Sequence, residues 1–248
     1  MEKSRLETFI KKYYLNGTLN QVRWLSKETK LSTTAMTQDR KLMANVSLEN
    51  FSAFVDVELG VLDTTQIIRN LAALGTTITF DLAKDSENAD RVISILISDD
   101  KSETQAVAGD LDVIHQPPNL KALPESDVEI KLSEEFITRF FKAKSALPEV
   151  ELFALAMSKK RSRLELVLGY SSNANVNRIS LDVETVGGKD KVTKPICFSA
   201  KVLKEIITAN SECKDGVLKV SEGGIAFVEF SAPEVTSKYY LIKTEIED

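Results

Sequence analysis

The feature that most constrains this chain is a twofold recurrence. An amphipathic helix, a run of alternating strands, a second amphipathic helix and further strands occur in the first half and again in the second. In the first half Leu6, Phe9, Ile10, Tyr13 and Tyr14 recur at three-and-four spacing before Asn16-Gly17 stops the helix. From Gln21 the period falls to two through Val22 and Trp24, then 31–36, 42–46 and 54–57, which predicts successive antiparallel strands. Asp63 and Thr64 supply N-cap oxygens for a helix lined by Ile67, Ile68, Leu71 and Leu74 and ended by Gly75. Strands at 76–82 and 91–98 follow, around the polar turn 84–90. The second half opens with a strand at 128–132, and Ser133 then caps a helix faced by Phe136, Ile137, Phe140 and Phe141 and closed by Pro148. Strands are expected at 150–158, 163–168 and 178–186, before Ser199 caps a helix carrying Val202, Leu203, Ile206 and Ile207. Strands at 217–220, 225–230 and 239–246 complete the pattern.

Helix starts fall 60 positions apart in one half and 66 in the other, although sequence identity between the halves is not visible. A period above one hundred residues describes a pair of like domains, not a solenoid. The expected fold class is therefore α+β, with two similar domains at 1–98 and 126–248. Between them 99–125 lacks periodicity and carries Pro117-Pro118 and Pro124, the marks of a connector. The 248 residues, 43% hydrophobic and 28% charged, suffice for packed cores of this kind.

Residue chemistry removes most enzyme designs. His115 is the only histidine, so triads and histidine metal clusters have nothing to draw on, and it reads as an exposed connector residue. Cys197 and Cys213 form no Cys-x-x-Cys pair. Asp99-Asp100 and Asp110-x-Asp112 lie in polar sequence where solvated charge is the stronger reading than a metal site. Gly187-Gly188 and Gly223-Gly224 suit hairpin turns better than a phosphate cradle. No catalytic residue, metal or cofactor is expected. The first thirty residues hold no secretory apolar core, and no apolar run approaches the roughly 20 residues of a spanning helix. A cytoplasmic protein without a membrane partner is expected.

Turning each helix at about 100° per residue shows what lies opposite its apolar face. The first presents Arg5, Thr8, Lys11 and Lys12; the second Gln66, Arg69 and Asn70; the third Glu135, Thr138, Arg139 and Lys142; the fourth Lys201, Lys204, Glu205 and Thr208. Windows 3–15, 63–75, 133–146 and 199–210 together carry ten basic and five acidic residues. Their net charge is thus +5 in a chain of net −5, leaving −10 for the remainder. Four basic helices in an acidic protein suit a surface turned toward phosphates. On charge alone, the general Lys and Glu richness of exposed helices explains the split equally well. Leu15 on the polar face and Lys144 over the apolar arc are misfits, the latter suited to snorkelling at the helix end.

Two domains, each with two helices bearing Lys and Arg opposite their apolar faces, resemble the DNA polymerase sliding clamps. The closest likeness is to the two-domain, trimeric clamps of large tailed phages. Lys194-Pro-Ile-Cys-Phe-Ser-Ala-Lys-Val-Leu-Lys-Glu-Ile-Ile-Thr-Ala-Asn210, Gly216-Val-Leu-Lys-Val220, Ala226-Phe-Val-Glu-Phe230 and Lys238-Tyr-Tyr-Leu-Ile242 look like that family's closing helix and strands. Val128-Glu-Ile-Lys-Leu-Ser-Glu-Glu-Phe136 fits the second-domain opening. The likeness covers most of 125–248, while the first half matches mainly in architecture.

The resemblance implies a homotrimeric ring that encircles duplex DNA without sequence preference, tethers a DNA polymerase and is opened by an ATP-dependent clamp loader. It implies no catalysis, and for a phage-encoded protein the cytoplasm of a bacterial host. The DNA-facing residues it implies are Arg5, Lys11, Lys12, Arg69, Arg139, Lys142, Lys201 and Lys204. The partner-peptide pocket would draw on Leu111, Val113 and Ile114 in the connector and Tyr240, Leu241 and Ile242 in the last strand. Packing suits the connector residues equally well, and strand-core burial is the stronger reading for Tyr240, Leu241 and Ile242. Ile179, Leu181 and Val183 are the expected subunit joint, strand edge to strand edge between unlike domains. A two-domain β-rich adaptor without DNA encirclement is the alternative.

Overall fold

A computed structural model describes residues 1–88, 91–118, 125–158, 163–171, 176–188, 192–213 and 216–245. The expected connector's 119–124, including Pro124, and Ile246 of the expected last strand lie outside the described residues. The chain divides into two compact units. The first comprises 1–37, 43–118 and 231–237; the second comprises 38–42, 119–230 and 238–248.

In the first unit, helix α1 (Lys3–Tyr14) is followed by a 3-10 turn, Leu15–Gly17. Strands β1 (Val22–Lys27), β2 (Lys30–Met36), β3 (Leu42–Glu49) and β4 (Val57–Val61) form an antiparallel sheet in the order β4-β1-β2-β3. Helix α2 (Thr64–Ala72) leads into β5 (Thr79–Lys84), β6 (Val92–Ser98) and β7 (Glu103–Val107), a three-stranded antiparallel sheet with β6 at its centre. Strand β7 corrects the expected connector, which does not begin at 99. Its only core side chain is Ala106, so hydrophobic patterning gives little sign of it.

The helix signals act locally. Asp63 Oδ1 accepts from the N–H of Gln66 at 3.3 Å, capping α2, and Asn20 donates to the same carboxylate. Lys3 Nζ donates to Leu71 O and Leu74 O at 3.1 and 2.6 Å, placing a cation at the negative end of α2. Leu15 departs from helical geometry at φ 46° and ψ 53°. That left-handed residue rotates the side chain off the polar face and buries it, which removes the first misfit. Beneath α1, Trp24 Nε1 donates to the Tyr13 hydroxyl at 3.2 Å, and that hydroxyl lies 3.3 Å from Thr64 Oγ1. Thr64 in turn donates to Asn20 O at 2.7 Å, so these buried polar groups are satisfied. Burial pushes the Tyr13 phenol well above its ordinary pKa.

The second unit contains β8 (Val128–Lys131), α3 (Glu134–Ala146), β9 (Leu152–Met157), β10 (Leu164–Leu168), β11 (Ile179–Asp182), β12 (Thr185–Gly188), β13 (Ile196–Ser199), α4 (Ala200–Ala209), β14 (Val217–Val220) and β15 (Ile225–Ser231). One of its sheets runs β12-β8-β14-β15 and the other β11-β10-β9-β13, all antiparallel. Strand β16 (Val235–Ile242) begins in the first unit and continues in the second. Ser133 and Ser199 accept from the N–H groups of Phe136 and Val202 and cap α3 and α4 as their sequence context predicts. The single strand expected over 178–186 is two, β11 and β12. Gly187-Gly188 accordingly lies in a strand instead of a turn, whereas Gly224, at φ 93°, does occupy the β14-β15 turn.

Candidate nucleic-acid interface

Each unit packs its two helices against each other, α1 with α2 and α3 with α4. The side chains opposite their buried faces sort into two classes. Lys11, Arg69, Lys142 and Lys201 are exposed and Lys204 is half-buried. None of the five makes an ion pair or side-chain hydrogen bond among the described residues. Arg139 is exposed but held at 2.6 Å by Glu135 one turn back, a solvent-screened pair.

Arg5 and Lys12 form the second class and correct the expected DNA-facing set. They stand seven residues apart, about two helical turns, and so share one flank of α1. That flank is packed. Arg5 Nε donates to Glu234 Oε2 at 2.8 Å, and its Nη2 donates to Glu49 O and Asn50 O at 2.9 and 3.1 Å. Lys12 is fully buried. The buried arc of α1 is thus wider than its apolar residues indicate, and these two cations serve the fold of the first unit. Lys144 Nζ donates to Leu147 O and Pro148 O at 3.4 and 2.7 Å, closing α3 in the way its position over the apolar arc suggests.

The expected partner pocket also divides by burial. Leu111 and Val113 lie in a 3-10 turn, Leu111–Val113, with Leu111 half-buried and Val113 68% exposed, while Ile114 is 2% exposed. In β16 the alternation of strand side chains turns Tyr239 and Leu241 inward and leaves Tyr240 half-buried and Ile242 exposed. Ile114 and Leu241 are therefore core residues of their own units, a correction to their place in an open pocket. Within the second unit, the Tyr240 ring lies 5.0 Å from that of Phe227, and the two share their sheet face with half-buried Ile225. Burial raises the Tyr240 phenol above its ordinary pKa. Ile225 and Phe227 are absent from the sequence-based set, although the period-two spacing of Ile225-x-Phe227 marks them as facing one way.

A groove of about 650 Å³ in the second unit is lined in part by Tyr170, Pro195, Ile196, Cys197, Lys243 and Thr244. Thr244 N–H donates to Cys197 O at 2.8 Å, tying the chain beyond β16 to edge strand β13. Burial pushes the Cys197 thiol up to about 11, which suits a packing residue and not a nucleophile. Ile179 and Leu181 stand on β11, at the edge of its sheet, and half-buried Val183 follows it. Among the described residues there is no cluster of three acidic, histidine or cysteine side chains able to hold a metal, and no helix is long and apolar enough to cross a membrane.

No family model matches the chain, and no curated protein matches it by sequence. Among solved structures, the crystal structure of Proliferating Cellular Nuclear Antigen from Entamoeba histolytica is similar at a TM-score of 0.69 and 17% identity, covering 98% of this chain and 96% of that one. A match of that extent at so low an identity is a match of architecture: the chain has the α+β sliding-clamp fold, with two similar domains.

Proposed function

We propose that this chain is the subunit of a sliding clamp. Three copies close into a ring around duplex DNA, tether the replicative DNA polymerase and give it processivity. The observation that carries this reading is the full-length clamp architecture, in which each domain pairs two helices that offer uncommitted cations. Lys11, Arg69, Lys142, Lys201 and Lys204, with Arg139 beside Glu135, face the phosphates. Contacts of this kind are non-specific and readily exchanged, because they are made to a repeating backbone and read no base edge. The ring slides for that reason, and its topology rather than its affinity prevents escape. The chain's part is mechanical, with no bond made or broken by it.

Closure uses the unpaired strand edges. Strand β11, with Ile179, Leu181 and the adjoining Val183, joins the first unit of the neighbouring copy at β7, one of the two edge strands of that unit's three-stranded sheet. The contact is heterologous and closes where the rotation between copies is one third of a turn. An ATP-dependent loader opens the ring for circular DNA. Polymerase peptides dock on exposed and half-buried apolar surface, for which the first unit by itself offers Leu111 and Val113 and the second unit by itself offers Tyr240, Ile242 and Phe227. The likeness of the second-half motifs to phage clamps supports a phage-encoded trimer working in the cytoplasm of a bacterial host.

The test combines native mass with DNA topology. A species of three 27.5 kDa chains, retained on nicked circular DNA after loading and lost when that DNA is linearised, is the expected outcome. A stable dimer, or equal retention on both DNAs, overturns the ring and favours an adaptor that binds without encircling.

A further inference from the structure

Beyond β7 the chain is held against the first sheet by directed contacts. Gly109 N–H donates to Gly60 O at 2.8 Å, and the two glycines form an isolated antiparallel bridge. Neither position has room for a side chain. A Cβ on Gly60 would stand 2.5 Å from Gly109 O and 2.7 Å from Ile114 Cδ1, and one on Gly109 would stand 2.5 Å from Leu62 Cγ. Arg23 on β1 is paired with Gly60 across the β1-β4 ladder, so its side chain starts on the same rung as the bridge. Its Nε and Nη2 donate to Ile114 O at 3.1 and 2.9 Å, and Nη2 also donates to Leu111 O at 2.5 Å. Nη1 meets the Glu58 carboxylate at 3.4 Å. Leu111 opens the 3-10 turn and Ile114 caps it, and a guanidinium can serve both carbonyls because its donors form a rigid fork. The result is asymmetric: Ile114 is driven into the core while Val113 stays 68% exposed.

We propose that Arg23 is the positioning residue that locks the start of the connector onto β1 and β4, and so fixes Leu111 and Val113 in the orientation offered to a polymerase peptide. This rests on the docking role given to the connector above. The lock itself is a property of the first unit. Glu58 neutralises Arg23 without taking part in the carbonyl contacts, so the lock persists when that carboxylate is removed.

The assembled full-length protein is tested by amide hydrogen exchange and by affinity for the purified cognate replicative polymerase. The amides of Gly109, Asp112, Val113 and Ile114 all have acceptors within 109–114 or on Gly60, and report opening of this segment. In Arg23→Gln their exchange accelerates about tenfold or more while amides of the β1-β2 ladder are unchanged, and polymerase affinity falls about fivefold. Arg23→Lys restores part of both effects, and Glu58→Gln leaves both at wild-type values. If Arg23→Gln prevents folding, Gly109→Ala displaces the same segment by collision with Leu62 and reproduces the exchange pattern. Unchanged exchange in a folded Arg23→Gln protein overturns the lock. Faster exchange with unchanged polymerase affinity overturns the link between the lock and docking, a failure separate from that of the ring, which the circular-DNA experiment decides.

Discussion

Replacing Lys142, Lys201 and Lys204 together by Gln tests the assignment of the helices to DNA. Two of the three side chains are exposed, Lys204 is half-buried, and none has an ion-pair partner among the described residues, so their removal leaves no buried group unsatisfied. The stability change is expected to stay within about 0.5 kcal/mol. The effect on DNA binding is much larger. Removing one cation from the phosphates lowers the slope of log K against log salt by about 0.9, so a subunit deprived of three lowers it by about 2.7. Between 50 and 200 mM salt, the variant's affinity then falls about 40-fold less than wild type for each fully engaged subunit. The assay is equilibrium binding to a short linear duplex, which a closed ring threads without a loader, at four or five salt concentrations, with native mass recorded in parallel. A smaller number of engaged cations would scale the change down in proportion. An unchanged slope in a variant that still assembles would refute the assignment. Arg5→Gln is the informative contrast: its guanidinium is committed to Glu234, Glu49 O and Asn50 O, so thermal stability falls while the salt slope is kept.

Tyr13→Phe leaves the buried Trp24 N–H without its acceptor and is expected to destabilise the first unit by about 1–3 kcal/mol. Thermal unfolding reads this as a fall of about 2–4 °C per kcal/mol, and an unchanged midpoint would show that the network is replaceable. The Asp99 carboxylate accepts backbone N–H groups from Gly75, Lys101 and Ser102, in that order of effect on its pKa, which is lowered from 3.8. A depressed carboxylate pKa stabilises the fold above the unfolded value and loses that effect as pH falls through the folded one. The gap in thermal midpoint between wild type and Asp99→Asn is therefore level above about pH 5 and shrinks below about pH 4; a gap that widens on acidification would contradict the sign. Leu181→Asp, on the β11 edge, is expected to shift native mass from three chains to one with the circular dichroism spectrum retained. A variant that remains trimeric would place the joint elsewhere.

Local features are legible in the sequence, and those that escape it have a common cause. The caps at Asp63, Ser133 and Ser199 involve an oxygen and an amide three residues apart, so sequence adjacency carries all the needed information. Strand β7 escapes because Glu103-Thr-Gln-Ala-Val107 is a largely polar edge strand whose pairing with β6 is its main support. In β16 the alternation itself separates Tyr239 and Leu241 from Tyr240 and Ile242, but alternation does not say which face is covered.

The twofold order of helices and strands and the excess of positive charge on the helices follow from composition and period, which are properties of neighbouring residues. Which of those charges are free does not. Arg5 reads as a surface cation until Glu234, 229 residues away, is brought to 2.8 Å from it. Lys12 reads the same way until its flank of α1 is buried. Arg23 and Glu58 have no visible relation to Leu111 and Ile114 in the sequence, yet one guanidinium joins all four. Burial and charge pairing depend on what the rest of the chain places opposite a residue, and that is settled only when distant segments pack.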